Sequence, residues 1–249
     1  MATGARKIDR CYNLVMENYS DLTIIIPTLN EGQNIGELVQ NLTRQFPQVK
    51  IIVADDGSTD QTAEIVRQAH QANPNITLLD RSRDKIHGLT ASVLDGIKLA
   101  TTPFFAVMDA DLQHPAAAVA HLLGALRSGR ADFAVGIRAK VVGSWPVHRK
   151  ALSHLGRWIG YWFLRLQGKT CQDVLSGFFA AKTEVIKPLV QKFPGRFEPK
   201  GYKILFDLLR VAPKNIKIVE VPYTFNERQR GTSKIRLQHL LYYFRSFFR

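Results

Sequence analysis

The stretch FFAVMDADLQHP, residues 104–115, places two carboxylates one residue apart directly after an apolar run. The run predicts a buried strand, and because alternate residues on a strand point the same way, Asp109 and Asp111 can face one site. Mg²⁺ and Mn²⁺ prefer such hard oxygen ligands and usually complete their coordination with substrate phosphates and water. The pair therefore predicts a holder for a metal and a diphosphate, although such aspartates can also cap a helix or bond a loop.

Polar residues follow two other apolar runs of the chain. They are Pro27, Thr28, Asn30 and Glu31 after the run at 23–26, and Asp55 and Asp56 after the run at 51–54. In open α/β sheets ligands bind beyond the carboxyl ends of the parallel strands, so these residues are candidates for one site. No glycine-rich dinucleotide fingerprint or P-loop lysine motif follows these runs, which leaves a metal bridge to a nucleotide diphosphate as the economical alternative.

Short apolar runs alternate with helical patterns through the first half of the chain. The runs cover residues 23–26, 51–54, 76–79, 104–108 and 133–137, and helical spacing occupies 35–42, 63–69 and a stretch from 115 to about 129. This alternation predicts βαβ units, a mostly parallel sheet and a single α/β domain. Ser58 and Gln61 predict a capping box for the second helix, and Pro115 is predicted at the first position of the third. The second half is expected to add to the same sheet.

The composition narrows the classes of molecule that the chain could bind. The 249 residues carry a formal charge of +13, which calls for nucleic acid, a phosphorylated substrate or an acidic membrane surface. Residues 133–172 contain no acidic side chain but many basic and aromatic ones. No run approaches the roughly 18 apolar residues of a membrane span. The two cysteines indicate neither a disulfide framework nor a zinc site, and His114 is predicted to be structural or solvent-facing.

An apolar stripe with helical spacing lies within residues 133–172 and has two possible interpretations. It consists of Leu152, Leu155, Ile159, Trp162 and Leu166, widened by Trp158 and Phe163. A helix of this pattern can pack on the core, or it can lie in a membrane interface with its arginines near the headgroups. The absence of acidic residues on both sides of the stripe favours the membrane-interface interpretation. Residues 237–249 have the same composition, so they are predicted to be an amphipathic segment that could lead to a membrane anchor.

Six stretches together resemble the dolichol-phosphate (polyprenyl-phosphate) mannosyltransferase branch of family 2 glycosyltransferases. They are TIIIPTLNEGQNIGELV, VADDGSTDQT, MDADLQHP, DVLSGFFAAKTEVI, FEPKGYKILFDLL and VPYTFNERQRGTSK. The resemblance covers about residues 22–236 as a catalytic domain, with an extension at 1–21. It implies a GT-A type fold, a mostly parallel sheet flanked by helices, a nucleotide-sugar donor and Mn²⁺ or Mg²⁺.

The resemblance also implies roles for the site residues. Pro27, Thr28, Asn30 and Glu31 would line the nucleobase and ribose pocket, Asp55 would help to hold the base, and Asp56 would orient that loop. Lys85 could contact the donor, and a surface lysine is an equal alternative. Asp109 would contact the ribose or diphosphate side of the donor and complete a metal set with Asp111 and Gln113. Arg228 and Lys234 would neutralise the departing diphosphate, whereas Arg230 is expected to be a solvated charge.

The acceptor side follows from the same resemblance. Arg138, Arg149 and Ser153 match positions that bind the acceptor phosphate. A phosphomonoester carries close to two negative charges near neutral pH and needs no general base to act as a nucleophile. The resemblance implies an inverting transfer of a hexose to polyprenyl phosphate, with mannose from GDP-mannose as the first candidate. The enzyme would be peripheral on the cytoplasmic face of an anionic membrane, with no nucleic-acid partner.

Two alternatives stay open from the sequence. The donor could be UDP-glucose, because the choice of sugar depends on few pocket contacts. The chain could also be an inactive basic module that binds membrane or nucleic acid on the same fold.

Overall fold

The computed structural model describes residues 18–141, 147–228, 230 and 238–249, with side chains except at 141, 147–154 and 238–240. Seven strands form one sheet in the order β3-β2-β1-β4-β6-β5-β7. They are β1 (Leu22–Thr28), β2 (Lys50–Asp55), β3 (Ile76–Asp80), β4 (Phe104–Val107), β5 (Phe133–Val141), β6 (Phe179–Lys182) and β7 (Ile218–Phe225). The β6 strand runs antiparallel to both its neighbours, and the other pairs are parallel. The mostly parallel sheet is confirmed, and the second half of the chain extends it through β6 and β7.

Helices cover both faces of this sheet. They are α1 (Ile35–Gln45), α2 (Thr62–Ala72), α3 (Leu89–Leu99), α4 (Ala117–Arg127), α5 (Val147–Leu166), α6 (Thr183–Lys192), α7 (Ile204–Val211) and α8 (Gln238–Ser246). A 3₁₀ turn lies at Pro194–Arg196. No helix in the described parts of the chain is both long and apolar enough to cross a membrane.

The core lies in two layers, one on each side of the sheet. All seven residues of β1 are buried, which is expected for a strand covered on both faces. Ile24 and Ile26 face α1, α2 and α4, and Ile25 faces the layer built by α3 and α5 to α8. The helix α3 lies so close to β1 that a Cβ at Gly96 would come within 2.5 Å of the Ile25 side chain.

Three local predictions need correction. The β4 strand ends at Val107, so Asp109 and Asp111 lie in the loop after it rather than on its alternating face. Helix α4 begins at Ala117, two residues after Pro115. The capping box is wrong because Asp60, not Ser58, holds the start of α2. The Asp60 Oδ1 atom accepts the Thr62 N–H at 2.9 Å, while the Ser58 hydroxyl bonds Asp55.

Helix α5 exposes most of its predicted stripe, although Phe163 of that stripe packs against the core. Gly156 and Gly160 face Tyr243 of α8, whose hydroxyl donates to the Gly156 carbonyl at 2.9 Å. Among the side chains that the structure describes, the large exposed apolar ones on α5 are Leu155, Trp158, Trp162 and Leu166, and those within residues 241–249 are Leu241, Phe244 and Phe248. The core-packing reading is therefore wrong for these four side chains of α5.

Candidate active site

The loops after β1, β2 and β4 meet at one edge of the sheet. Because β1 lies between β2 and β4 and runs parallel to both, the carboxyl ends of the three strands are neighbours. The Asp56 N–H, just after β2, donates to the carbonyl of Thr28 at the end of β1 at 2.9 Å. We call these three loops the rim. It gathers the residues that the sequence had placed after three separate strands.

The β1 and β2 loops are joined by hydrogen bonds. Asn30 has a left-handed backbone (φ 51°), its N–H donates to the Ser58 hydroxyl at 2.8 Å, and its Oδ1 accepts the Thr59 N–H at 2.8 Å. Buried Asp55 accepts from the Thr28 hydroxyl at 3.2 Å and from the Ser58 N–H at 3.0 Å. Pro27 and Thr28 are buried in the same place. Asp55 thus links the β1 and β2 loops from a buried position. Its predicted contact with the nucleobase stays a prediction.

Asp56 connects the β2 loop to the loop before α3. One carboxylate oxygen accepts the Gly88 N–H at 2.7 Å, and the other bonds the buried guanidinium of Arg81. Arg81 also reaches Asp95 at 3.0 Å and the Ile86 carbonyl at 2.8 Å. Asp56 thus joins the β2 loop to the loop before α3, and its predicted loop-orienting role stays a prediction. Lys85 lies exposed in the loop that Arg81 holds.

Asp109 lies next to an imidazole and a glycine. His114 Nε2 is 3.4 Å from Asp109 Oδ2. A Cβ at Gly177 would come within 3.0 Å of the same oxygen. Burial alone would raise the pKa of Asp109, but the hydrogen bond and charge of His114, with Lys203 and Arg228, hold the pKa below its ordinary value. Asp109 therefore favours the carboxylate form.

Asp111 pairs with a residue from the far end of the sheet. Arg228 Nη2, in the segment after β7, lies 2.5 Å from Asp111 Oδ2. Burial raises the pKa of Asp111, and the charge of Asp109 adds to that rise. Two hydrogen bonds join the same segments, since the Asn226 N–H donates to the Gln113 carbonyl and the Gln113 amide donates to the Asn226 carbonyl, both at 2.9 Å.

These residues fit a divalent cation by the chemistry of their donors. Within the described ranges, no group of three or more His, Cys, Asp or Glu side chains could hold a metal by itself. Asp109 and Asp111 offer carboxylate oxygens, and Gln113 has its amide nitrogen engaged, so its Oε1 is the ligand atom available. Mg²⁺ and Mn²⁺ usually take few protein ligands and complete their shell with phosphate and water. The donor set is thus incomplete without a diphosphate and suited to one.

The predicted acceptor residues lie in different parts of the structure. Arg138, on β5, forms a two-pronged ion pair with buried Asp173, with N–O distances of 3.0 and 3.1 Å. Arg149 and Ser153 fall on α5 where side chains are not described, and Lys234 lies outside the described residues. Arg230 is exposed and bonds the Gln33 carbonyl at 2.8 Å and Glu37. Their predicted roles stay predictions.

Sequence reasoning missed three side chains that build this site. They are Arg81, His114 and Asp173, all buried. Arg81 directly follows β3 and His114 lies in the loop after β4, which was an available signal, whereas Asp173 lies between α5 and β6 and gave none. The partner of each side chain, however, lies between 5 and 35 residues away, and spacing alone did not identify it.

Comparison with known proteins gives a consistent result. The family model described as glycosyl transferase family 2 matches residues 23–187. A dolichol-phosphate mannosyltransferase of Pyrococcus furiosus is 35% identical and covers 92% of this chain, while the chain spans 63% of that protein's length. A polyprenol monophosphomannose synthase of Mycolicibacterium smegmatis is 33% identical, with coverage of 85% of this chain and 80% of the relative.

Solved structures share the fold. Glucosyl-3-phosphoglycerate synthase from Mycobacterium tuberculosis, in complex with Mn²⁺, uridine diphosphate and glucosyl-3-phosphoglycerate, superposes with a TM-score of 0.61 at 19% identity. The match covers 91% of this chain and 77% of that one, and it supports the GT-A type fold. Since the family model spans β1 through β6 and relatives above 30% identity extend the match beyond it, the chain belongs to glycosyl transferase family 2.

Proposed function

We propose that the chain transfers mannose from GDP-mannose to polyprenyl phosphate with inversion at the anomeric carbon, using Mn²⁺ or Mg²⁺. The names of the relatives support the sugar and the lipid class. Because the chain spans less than two thirds of the Pyrococcus furiosus relative, the whole activity is inferred here from the part that matches.

The observation that carries the proposal is the Asp111–Arg228 pair. It brings the DADLQ loop after β4 against the FNER segment after β7, although the two residues are 117 positions apart. A nucleotide diphosphate needs oxygen ligands for its cation on one side and a guanidinium for its own charge on the other. Both are in contact in this structure. An inactive module would have no use for this arrangement.

The chemistry assigned to the chain is a single displacement. An oxygen of the acceptor phosphate forms a bond to the anomeric carbon, while the bond from that carbon to the donor diphosphate breaks. The phosphate is already ionised, so no side chain has to remove a proton. Arg228 stabilises the charge that develops on the leaving diphosphate, with Lys234 assigned to the same task. The cation, when bound by Asp109, Asp111 and Gln113, would supply Lewis-acid stabilisation of that leaving group.

A membrane surface is the proposed location of the acceptor. The exposed apolar residues of α5 and α8 lie on two helices joined through Tyr243 and Gly156. Arg165 and Arg245 are exposed on these helices and would meet anionic headgroups. We propose that this face contacts the membrane and that the enzyme lies on the cytoplasmic side, where nucleotide sugars are available.

The deciding experiment is a donor and acceptor screen. GDP-mannose and UDP-glucose are each offered with polyprenyl phosphate and Mn²⁺, and the lipid product is analysed by mass and by the anomeric coupling in NMR. We expect mannosyl transfer with inverted configuration, and we expect Asp111→Asn to lose it. Asp132→Asn makes the same change at the opposite edge of the sheet, near Lys182, and should keep the activity. Transfer of glucose alone, or retained configuration, would contradict the proposal.

A further inference from the structure

His114 is enclosed by aromatic rings. Its side chain is almost fully buried, with 5% of the residue exposed. The imidazole stacks on Phe178 with ring centroids 4.9 Å apart and an angle of 23° between the planes. Tyr223 lies at 5.5 Å and Phe225 at 5.3 Å. The ring is therefore held by residues at the ends of β6 and β7, and its orientation is fixed.

The two ring nitrogens have different surroundings. Nε2 lies 3.4 Å from the Asp109 carboxylate, whereas Nδ1 is buried without a hydrogen-bond partner among the described residues. A buried polar atom without a partner destabilises a protein by about 1–3 kcal/mol. A phenyl ring would fill the same aromatic cage without that penalty. Packing alone therefore gives no reason for a histidine at this position.

We propose that His114 is a positioning residue that donates its Nε2–H to Asp109 and so fixes the direction of that carboxylate in the site. The inference rests on the proposed function, in which Asp109 faces the cation and the diphosphate. Gly177 completes the arrangement, because a Cβ there would come within 3.0 Å of Asp109 Oδ2, so its lack of a side chain leaves space for that oxygen. The imidazole touches no substrate, and its effect passes through Asp109.

The loop geometry explains why Asp109 needs this support. The side chain of Asp109 is 36% exposed, in contrast to 8% for Asp111, and it lies in a loop rather than on the strand. An aspartate in such a place can rotate, and binding a cation would then require ordering it. Partners of a metal-binding side chain that hold it in place typically contribute a factor of about 10–100 in metal affinity.

The test separates positioning from packing with three variants. His114→Phe removes the donor and keeps the ring, His114→Gln keeps an amide donor near the position of Nε2, and His121→Phe is the control on the exposed surface of α4. Thermal unfolding is measured without ligand. Affinity for Mn²⁺ in the presence of GDP is measured by calorimetry. We expect His114→Phe to unfold at the wild-type temperature or above and to bind Mn²⁺ about 10–100-fold more weakly.

The remaining outcomes decide the inference. His114→Gln should recover part of the Mn²⁺ affinity, and His121→Phe should match the wild type in both measurements. Unchanged Mn²⁺ affinity in His114→Phe would overturn the positioning role while leaving the proposed function intact. Equal losses of affinity in the Phe and Gln variants, together with lower unfolding temperatures, would assign His114 to packing. If GDP and Mn²⁺ do not enhance each other even in the wild type, the metal part of the proposed function fails, and the inference fails with it.

Discussion

The contact between Asp111 and Arg228 places a guanidinium on a carboxylate that would bind the metal ion in the proposed mechanism. Asp111 uses Oδ2 for Arg228 and Oδ1 for the Gln113 N–H at 3.2 Å. A metal ion arriving alone must compete with the guanidinium for this carboxylate. A nucleotide diphosphate removes the competition, because it offers Arg228 another anion.

We therefore expect the wild type to bind Mn²⁺ weakly alone and much more tightly with GDP. Arg228→Gln should bind Mn²⁺ alone about tenfold more tightly than the wild type, a change of about 1.4 kcal/mol, and should lose most of the enhancement by GDP. Titration calorimetry or Mn²⁺ electron spin resonance measures both values.

Two control variants separate the contact from general charge. Arg230→Gln removes the same charge two residues away, where the side chain bonds Glu37 on the surface, and should bind Mn²⁺ like the wild type. Arg228→Lys keeps the charge but loses the planar fork, so an intermediate affinity indicates the contact itself. Tighter Mn²⁺ binding in Arg230→Gln and Arg228→Gln alike would assign the effect to net charge.

At the scale of elements, α5 exposes most of its apolar stripe instead of packing it into the core. The two glycines of α5 face inward and allow α8 to pack closely, while Trp158 and Trp162 point outward. Trp158 is 62% exposed, and its ring lies edge-to-face with Trp162 at 6.4 Å. Large aromatic side chains paired on an exposed helix face fit an interfacial position.

Replacing Trp158 and Trp162 by serine should weaken binding to anionic vesicles by about tenfold or more, since the loss of apolar burial exceeds about 1.4 kcal/mol. Vesicle sedimentation at low and high salt measures the effect. The part that the tryptophans contribute should persist at high salt, whereas the part from the arginines should weaken. Leu99→Ser on α3 also removes an exposed apolar side chain and should change nothing. Wild-type vesicle binding by the double variant would contradict the membrane assignment of this face.

At the scale of the whole molecule, a buried carboxyl links stability to pH. Burial raises the pKa of Asp207 on α7 to about 6, although the Glu198 N–H and Arg210 act against the rise. The folded state therefore holds a proton on Asp207 that the unfolded state has already released above its ordinary pKa of 3.8. The stabilisation that protonated Asp207 contributes to the folded state is therefore lost as the pH rises from about 4 through 6.

Asp207→Asn should remove this dependence. The free energy of unfolding of the variant, relative to wild type, should rise by up to roughly 3 kcal/mol between pH 4 and 7. Urea denaturation of both proteins at several pH values gives the difference, in which other titrating groups cancel. A constant difference across this range would show that Asp207 does not titrate there.

Local patterns predicted much of the fold. The apolar runs of β1, β2, β3 and β5 could be located because each is short, β-branched or aromatic, and bounded by turn residues. The rim could be predicted because parallel strands bring their carboxyl ends together. The loop position of Asp109 and Asp111 was missed, since the apolar run continues into Met108 while strand pairing ends at Val107.

Contacts between distant segments could not be predicted from spacing. The Arg81 cluster, the aromatic cage of His114 and the Arg138–Asp173 pair each depend on how segments that are distant in sequence approach one another in the folded chain. The antiparallel insertion of β6 is of the same kind. Phe179–Lys182 form a strand because β4 and β5, one on each side, supply their hydrogen-bond partners.

The separation between Asp111 and Arg228 has a consequence for how the enzyme is made. At about 5–20 residues per second, the ribosome needs roughly 6 to 23 s to synthesise the 117 positions between them. During that time the β4 loop has its two carboxylates but lacks Arg228, and the reciprocal bonds of Asn226 to Gln113 cannot form. The nascent chain therefore completes its donor site only after β7 has been synthesised and has joined the edge of the sheet.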